Sequence, residues 1–129
     1  MRFDDLRKVF TDIEPIWERE GLTSTAAAMR FTEEENLSAV VWFDDDGNVT
    51  GLRLMTEVGK GQLNYLTFVA RLCKLLDNCF HMTLDQRNMA LEDIGITDPK
   101  APGGEYEDDR VKVKSSLRGS IYGVDVMWA

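Results

Sequence analysis

Apolar residues Phe3, Leu6, Phe10, Ile13 and Trp17 recur at alternating spacings of three and four, and Val9 and Ile16 widen the stripe. That period predicts an amphipathic helix over the first seventeen residues, kinked or restarted at Pro15, which lacks the N–H a helix interior needs, and stopped at Gly21. The period then changes. Ala27, Met29 and Phe31 alternate as a strand does, so residues 23–32 are read as extended. Leu37, Ala39, Val41 and Phe43 alternate with Ser38, Val40 and Trp42, and Val49 to Met55 repeat the alternation with Leu52 and Leu54 on one face. Asp44-Asp45-Asp46-Gly47-Asn48 lies between these two runs and supplies residues that tolerate positive φ, which predicts a hairpin.

After Gly59-Lys60-Gly61 the pattern becomes helical again. Leu63 to Phe80 is apolar on nearly every side except a stripe of Asn64, Thr67, Arg71, Lys74 and Asn78, so this helix is expected at the centre, covered by the sheet and flanked by other helices. Thr83 and Gln86 have capping-box spacing and Gly95 stands where a left-handed cap belongs, which predicts a short helix over 84–93. Residues 97–109, with Pro99, Pro102, Gly103 and Gly104 followed by Glu105, Glu107, Asp108 and Asp109, read as a mobile loop. Val111 to Leu117 and Tyr122 to Trp128 alternate around Arg118-Gly119 and make a second hairpin. The expected fold is a single α+β domain over 1–129, with element order α-β-β-β-α-α-β-β and an antiparallel sheet of about five strands carrying its helices on one face.

Composition narrows the setting. A chain of 129 residues with 43% hydrophobic content can bury one core without metal or disulfide staples. Cys73 and Cys79 point about 240° apart on one helix and cannot bridge there. Free thiols, no signal-like N-terminus and no run near 18 apolar residues lead to a cytoplasmic expectation without membrane contact. The net charge is −8, and residues 1–57 carry 13 of the 23 acids against 6 of the 15 bases. Such a field repels phosphate and disfavours direct binding to nucleic acid.

Candidate chemistries fail on spacing. An EF-hand frame with Gly47 at its sixth position puts Trp42 at the first ligand and Arg53 where a bidentate Glu belongs. Gly59-Lys60-Gly61 lacks both the first glycine and the hydroxyl of a P-loop. Cys73, Cys79 and His81, the sole histidine, lack a fourth zinc ligand, and residues two apart diverge on helix or strand. No cofactor, metal or catalytic residue is therefore expected. Carboxylates such as Glu33 and Glu35 are left for general acid or base work.

Aromatic residues offer the other lead. Trp17 belongs to the first helix stripe and reads as core, but if helices cover only one face of the sheet, Trp42 or Phe43 must sit on the open one. Trp42, Phe43, Tyr122 and Trp128 are the candidate protein-contact residues, and Glu33, Glu34, Glu35, Asp44, Asp45 and Asp46 the candidate acidic surface. Three functions follow. A non-catalytic protein-binding module, whether adaptor, chaperone or inhibitor, would use a sheet face or strand edge, with another protein or a second copy as partner. An acidic nucleic-acid mimic would occupy a basic groove. A small carboxylate enzyme would need a cleft.

The Phe3 to Trp17 stripe, the Leu37 to Met55 hairpin around Asp44-Asp45-Asp46-Gly47 and the Leu63 to Phe80 helix give residues 1–80 an outline that resembles class I type III secretion chaperones and the YbjN-like proteins of the same fold. The resemblance implies a homodimer that binds an extended peptide. The chain departs from that outline by inserting residues 81–109 before the last hairpin.

Overall fold

A computed structural model of the chain describes residues 1–16 and 26–129. Trp17, the expected stop at Gly21 and the first residues of the expected 23–32 strand lie outside them. The first helix, α1 (Phe3–Val9), is shorter than its apolar stripe. Phe10 is already extended, and Ile13–Pro15 forms strand β1, paired antiparallel with β2 (Ala26–Phe31). The 3.6 period therefore misreads residues 10–16. Ile13 is buried in either conformation, and β1 is an edge strand, where a proline without an N–H is tolerated.

The predicted hairpin is present as β3 (Glu34–Phe43) and β4 (Val49–Glu57), in register from Leu37 against Thr56 to Trp42 against Gly51. Its turn is built by Asp44, whose Oδ1 accepts the Asp46 and Asn48 N–H groups at 2.9 Å each, and by Gly47 at φ 81°. Helices α2 (Gln62–Phe80) and α3 (Leu84–Asp93) follow. Thr83 and Gln86 form the expected capping box. Gly95 N–H to the Glu92 carbonyl and Ile96 N–H to the Leu91 carbonyl complete a Schellman motif.

Part of the expected 97–109 loop is ordered as β5 (Glu105–Glu107), with Tyr106 buried between two exposed acids. Its charges masked an inward-facing aromatic. The chain ends with β6 (Val111–Arg118) and β7 (Ile121–Trp128), the second predicted hairpin. Among the described residues, seven strands join one antiparallel sheet in the order β1-β2-β3-β4-β7-β6-β5. The fold is thus α+β with the expected order of elements but seven strands rather than about five. The two additional strands are the three-residue edges β1 and β5, too short to show a period of two.

Helices and inward strand residues share one core. Leu6 and Val9 of α1, Phe68, Leu72, Leu75 and Leu76 of α2, and Ala90 and Leu91 of α3 pack with Leu37, Ala39, Val41, Leu52, Leu54, Val113, Val124 and Val126 of the sheet. The cover over α2 is incomplete: Leu63 and Leu66 are 78% and 54% exposed. Two polar members of its stripe are tied down instead. Asn64 donates to the Thr56 hydroxyl at 2.8 Å, and Arg71 forms a two-bonded pair with Asp12 at 2.9 and 2.6 Å.

Candidate protein-binding face

Every strand of the sheet alternates, so the residues that do not enter the core form cross-strand rows on the opposite face. One row runs Glu14, Arg30, Ser38, Met55, Gly123, Ser116. The next runs Ala28, Val40, Arg53, Asp125, Lys114, Glu105. A third runs Ala26, Trp42, Gly51, Met127, Lys112, Glu107, and a short fourth holds Glu57, Ile121 and Arg118. None of these residues belongs to the core in which the helices pack.

The centre of this face is levelled by its own side chains. The Arg53 guanidinium holds Asp125 through two hydrogen bonds of 2.5 and 3.0 Å and lies 5.5 Å from the Trp42 ring centroid. Its stem passes over Gly123, where an added Cβ would stand 3.6 Å from Arg53 Cγ and Cδ. Met127 lies over Gly51 in the same way: a Cβ there would come within 2.4 Å of the Met127 sulfur and 3.2 Å of the Trp42 ring. Two glycines thus let a long side chain lie flat on each side of the tryptophan. Arg53 and Asp125 neutralise one another, so the middle of the face is apolar with one closed ion pair. The other charges stand at the flanks, on β1, β2, β5 and β6, where Glu14 pairs with Arg30 and Glu105 with Lys112. An apolar centre inside a charged rim is the layout of a protein–protein contact.

Of the four aromatic candidates, Trp42 is the one on this face. Phe43 follows a register shift in β3 and turns toward the helix side, packing edge-on against Phe3 at 6.2 Å. Tyr122 is fully buried beneath α2, with Tyr65 and Phe68 at 6.0 and 5.6 Å, and Trp128 lies against Phe80 at 4.8 Å on the same side. These three are packing residues. A strand that reads as two-sided from its sequence had its faces assigned by the helices above it.

The acidic candidates form two separate groups. Glu33, Glu34 and Glu35 lie at the β2–β3 turn and the start of β3, while Asp44, Asp45 and Asp46 occupy the turn at its other end. Ten residues of strand separate them by about 30 Å. The Asn48 N–H and side-chain amide hold the Asp44 carboxyl below the usual range, so this group stays ionised in its turn. Glu33 meets the rest of the molecule through its backbone, donating to Asp12.

His81 caps α2 in a left-handed conformation. Cys73 and Cys79 are free and half-buried, and burial raises both thiols, Cys79 to about 11. Among the described residues no three His, Cys, Asp or Glu side chains gather as a metal site, and no helix is long and apolar enough to cross a membrane.

The residues of the face that sequence reasoning missed are Arg53, Asp125, Met127 and Met55. Their outward parity was readable strand by strand. Their adjacency was not, because it depends on β4 pairing with β7 across some seventy residues. Comparison of the chain with protein-family models, with curated proteins and with solved structures finds no match.

Proposed function

We propose that this chain is a non-catalytic protein-binding module, an adaptor, chaperone or inhibitor, that engages its partner through the open face of the sheet. The observation that carries the reading is the levelled centre formed by Trp42, Arg53, Asp125 and Met127, set inside a charged rim on a face that, among the described residues, no helix covers. Tryptophan and arginine at the middle of a contact are the residues that most often dominate binding energy. The outline shared with type III secretion chaperones points to the same kind of activity. An acidic mimic is less well supported, because its two triads face the ends of β3 rather than one surface.

The test is affinity capture from a lysate of the source cell, comparing the wild-type chain with Trp42→Ala and with a triple Asp44→Asn, Asp45→Asn, Asp46→Asn variant. The expected result is a defined partner lost with Trp42→Ala, kept with the acid variant, and held when salt is raised. Loss with the acid variant and steep release by salt would replace this reading with the acidic-mimic one.

A further inference from the structure

We infer that the open face binds a second copy of this chain, as an isologous dimer whose two-fold axis runs along β4. The inference rests on the protein-binding reading above and names the partner for that face.

Charge supplies the first argument. The chain carries −8, so two copies repel one another over most approaches. The four outward rows hold five cations and five anions, and the face they make is neutral. It is therefore a surface on which two like molecules can meet without that penalty.

Shape supplies the second. β4 is the middle one of the seven described strands, with three on either side. An axis along it, lying between the two sheets, sets β3 of one copy over β7 of the other and β2 over β6, each contact occurring twice. Where β2 lies over β6, the rows then pair short side chains with long ones. Ala26 and Ala28 on β2 fall under the stems of Lys112 and Lys114 on β6 of the second copy, and Arg30 falls over Ser116. Trp42 meets Met127 of the second copy, an aromatic–thioether contact made on both sides of the axis. Arg53 meets its own equivalent on the axis, and each guanidinium is already neutralised by Asp125.

Area supplies the third. Seven strands about 4.8 Å apart, over four outward rows about 6.7 Å apart, present roughly 600 Å² per copy, or about 1,200 Å² in the pair. That is the lower end of the range for specific interfaces, so the dimer should dissociate on dilution rather than persist as an obligate unit.

Sedimentation equilibrium of the purified full chain, from about 1 to 200 μM and at about 20 and 500 mM NaCl, tests this. The expected result is a monomer–dimer equilibrium that shifts toward dimer at the higher salt, because screening relieves repulsion between two acidic molecules that meet on a neutral face. Met127→Glu and Ala28→Arg should each weaken the dimer by at least about tenfold, with circular dichroism confirming that each variant is folded. Adding Lys114→Glu to Ala28→Arg should restore it, since those two positions meet across the axis. A monomer at every concentration and salt overturns the second copy as partner and leaves the capture experiment to judge the face itself. A dimer that survives both substitutions, or that salt dissociates, overturns it as well, because the contact then lies on another surface.

Discussion

Asp108 stands at the corner between β5 and β6, and its surroundings act on it in opposite directions. Burial alone would raise its carboxyl. The Arg110 N–H at 2.7 Å, the Arg110 guanidinium at 3.0 Å and the Tyr106 hydroxyl at 2.8 Å outweigh that and hold it at about 2. A carboxyl whose folded value lies below its unfolded one stabilises the fold above the unfolded value, and the contribution disappears as pH falls through the folded one. The window is therefore about pH 4 down to about pH 2, and the contribution is of order 2 kcal/mol. Urea denaturation of wild type and Asp108→Asn across that window should show a steeper loss for wild type by about that amount. Parallel pH profiles would assign acid sensitivity elsewhere. None of this was visible in the run Glu105 to Asp109, which read as solvated loop. Burial of Tyr106 decided it.

At the scale of elements, the pair of Arg71 and Asp12 fastens α2 to the turn between α1 and β1. The two side chains are 12% and 8% exposed, and the guanidinium is stacked 4.2 Å from the Phe31 ring centroid and 5.7 Å from that of Phe10. The hydrogen bonds from Arg71 lower the Asp12 carboxyl, so the aspartate is ionised where it is buried. Removing the cation leaves that charge uncompensated. Arg71→Met should cost about 3–5 kcal/mol in urea denaturation, and the double variant Arg71→Met, Asp12→Asn should cost less than Arg71→Met alone, because no unpaired charge then remains. A double variant as unstable as the sum of the two single ones would mean that the stacked stem, and not the ion pair, carries the effect. The pair also explains where sequence reading went wrong nearby. Arg71 reads as one member of a polar stripe and Asp12 as part of a helix, yet the two meet where residues 10–15 leave the helical period and Ile13–Pro15 pairs as an edge strand.

Over the whole molecule, the described helices lie on one side of the sheet, and the two thiols of α2 are half-buried against the core. At the Cys79 value of about 11 only about one part in a thousand is thiolate at pH 8, against roughly a tenth or more for a thiol freed by unfolding. Cys79 should therefore react with an aromatic disulfide reagent about a hundredfold more slowly in the native protein than in guanidinium. A rapid native rate at Cys79, measured with Cys73→Ser in place, would show that the packing around α2 opens locally. The same one-sidedness defines the candidate binding face. Local patterning by itself determined the two long hairpins, the two later helices, the caps at Thr83 and Gly95 and the α+β class, because each depends on residues within a few positions of one another. It also determined that Trp42 and Phe43 point to opposite sides of β3. Tertiary structure alone decided which side the helices cover, and so put half-buried Trp42 on the open face, Tyr122 in the core and half-buried Trp128 against Phe80 on the helix side. It likewise decided that β4 lies beside β7, which brings Arg53 to Asp125 and Met127 to Gly51. A period of two records that a strand has two faces and carries no information about its neighbours, and strand pairing over long sequence separations is fixed only when the core closes.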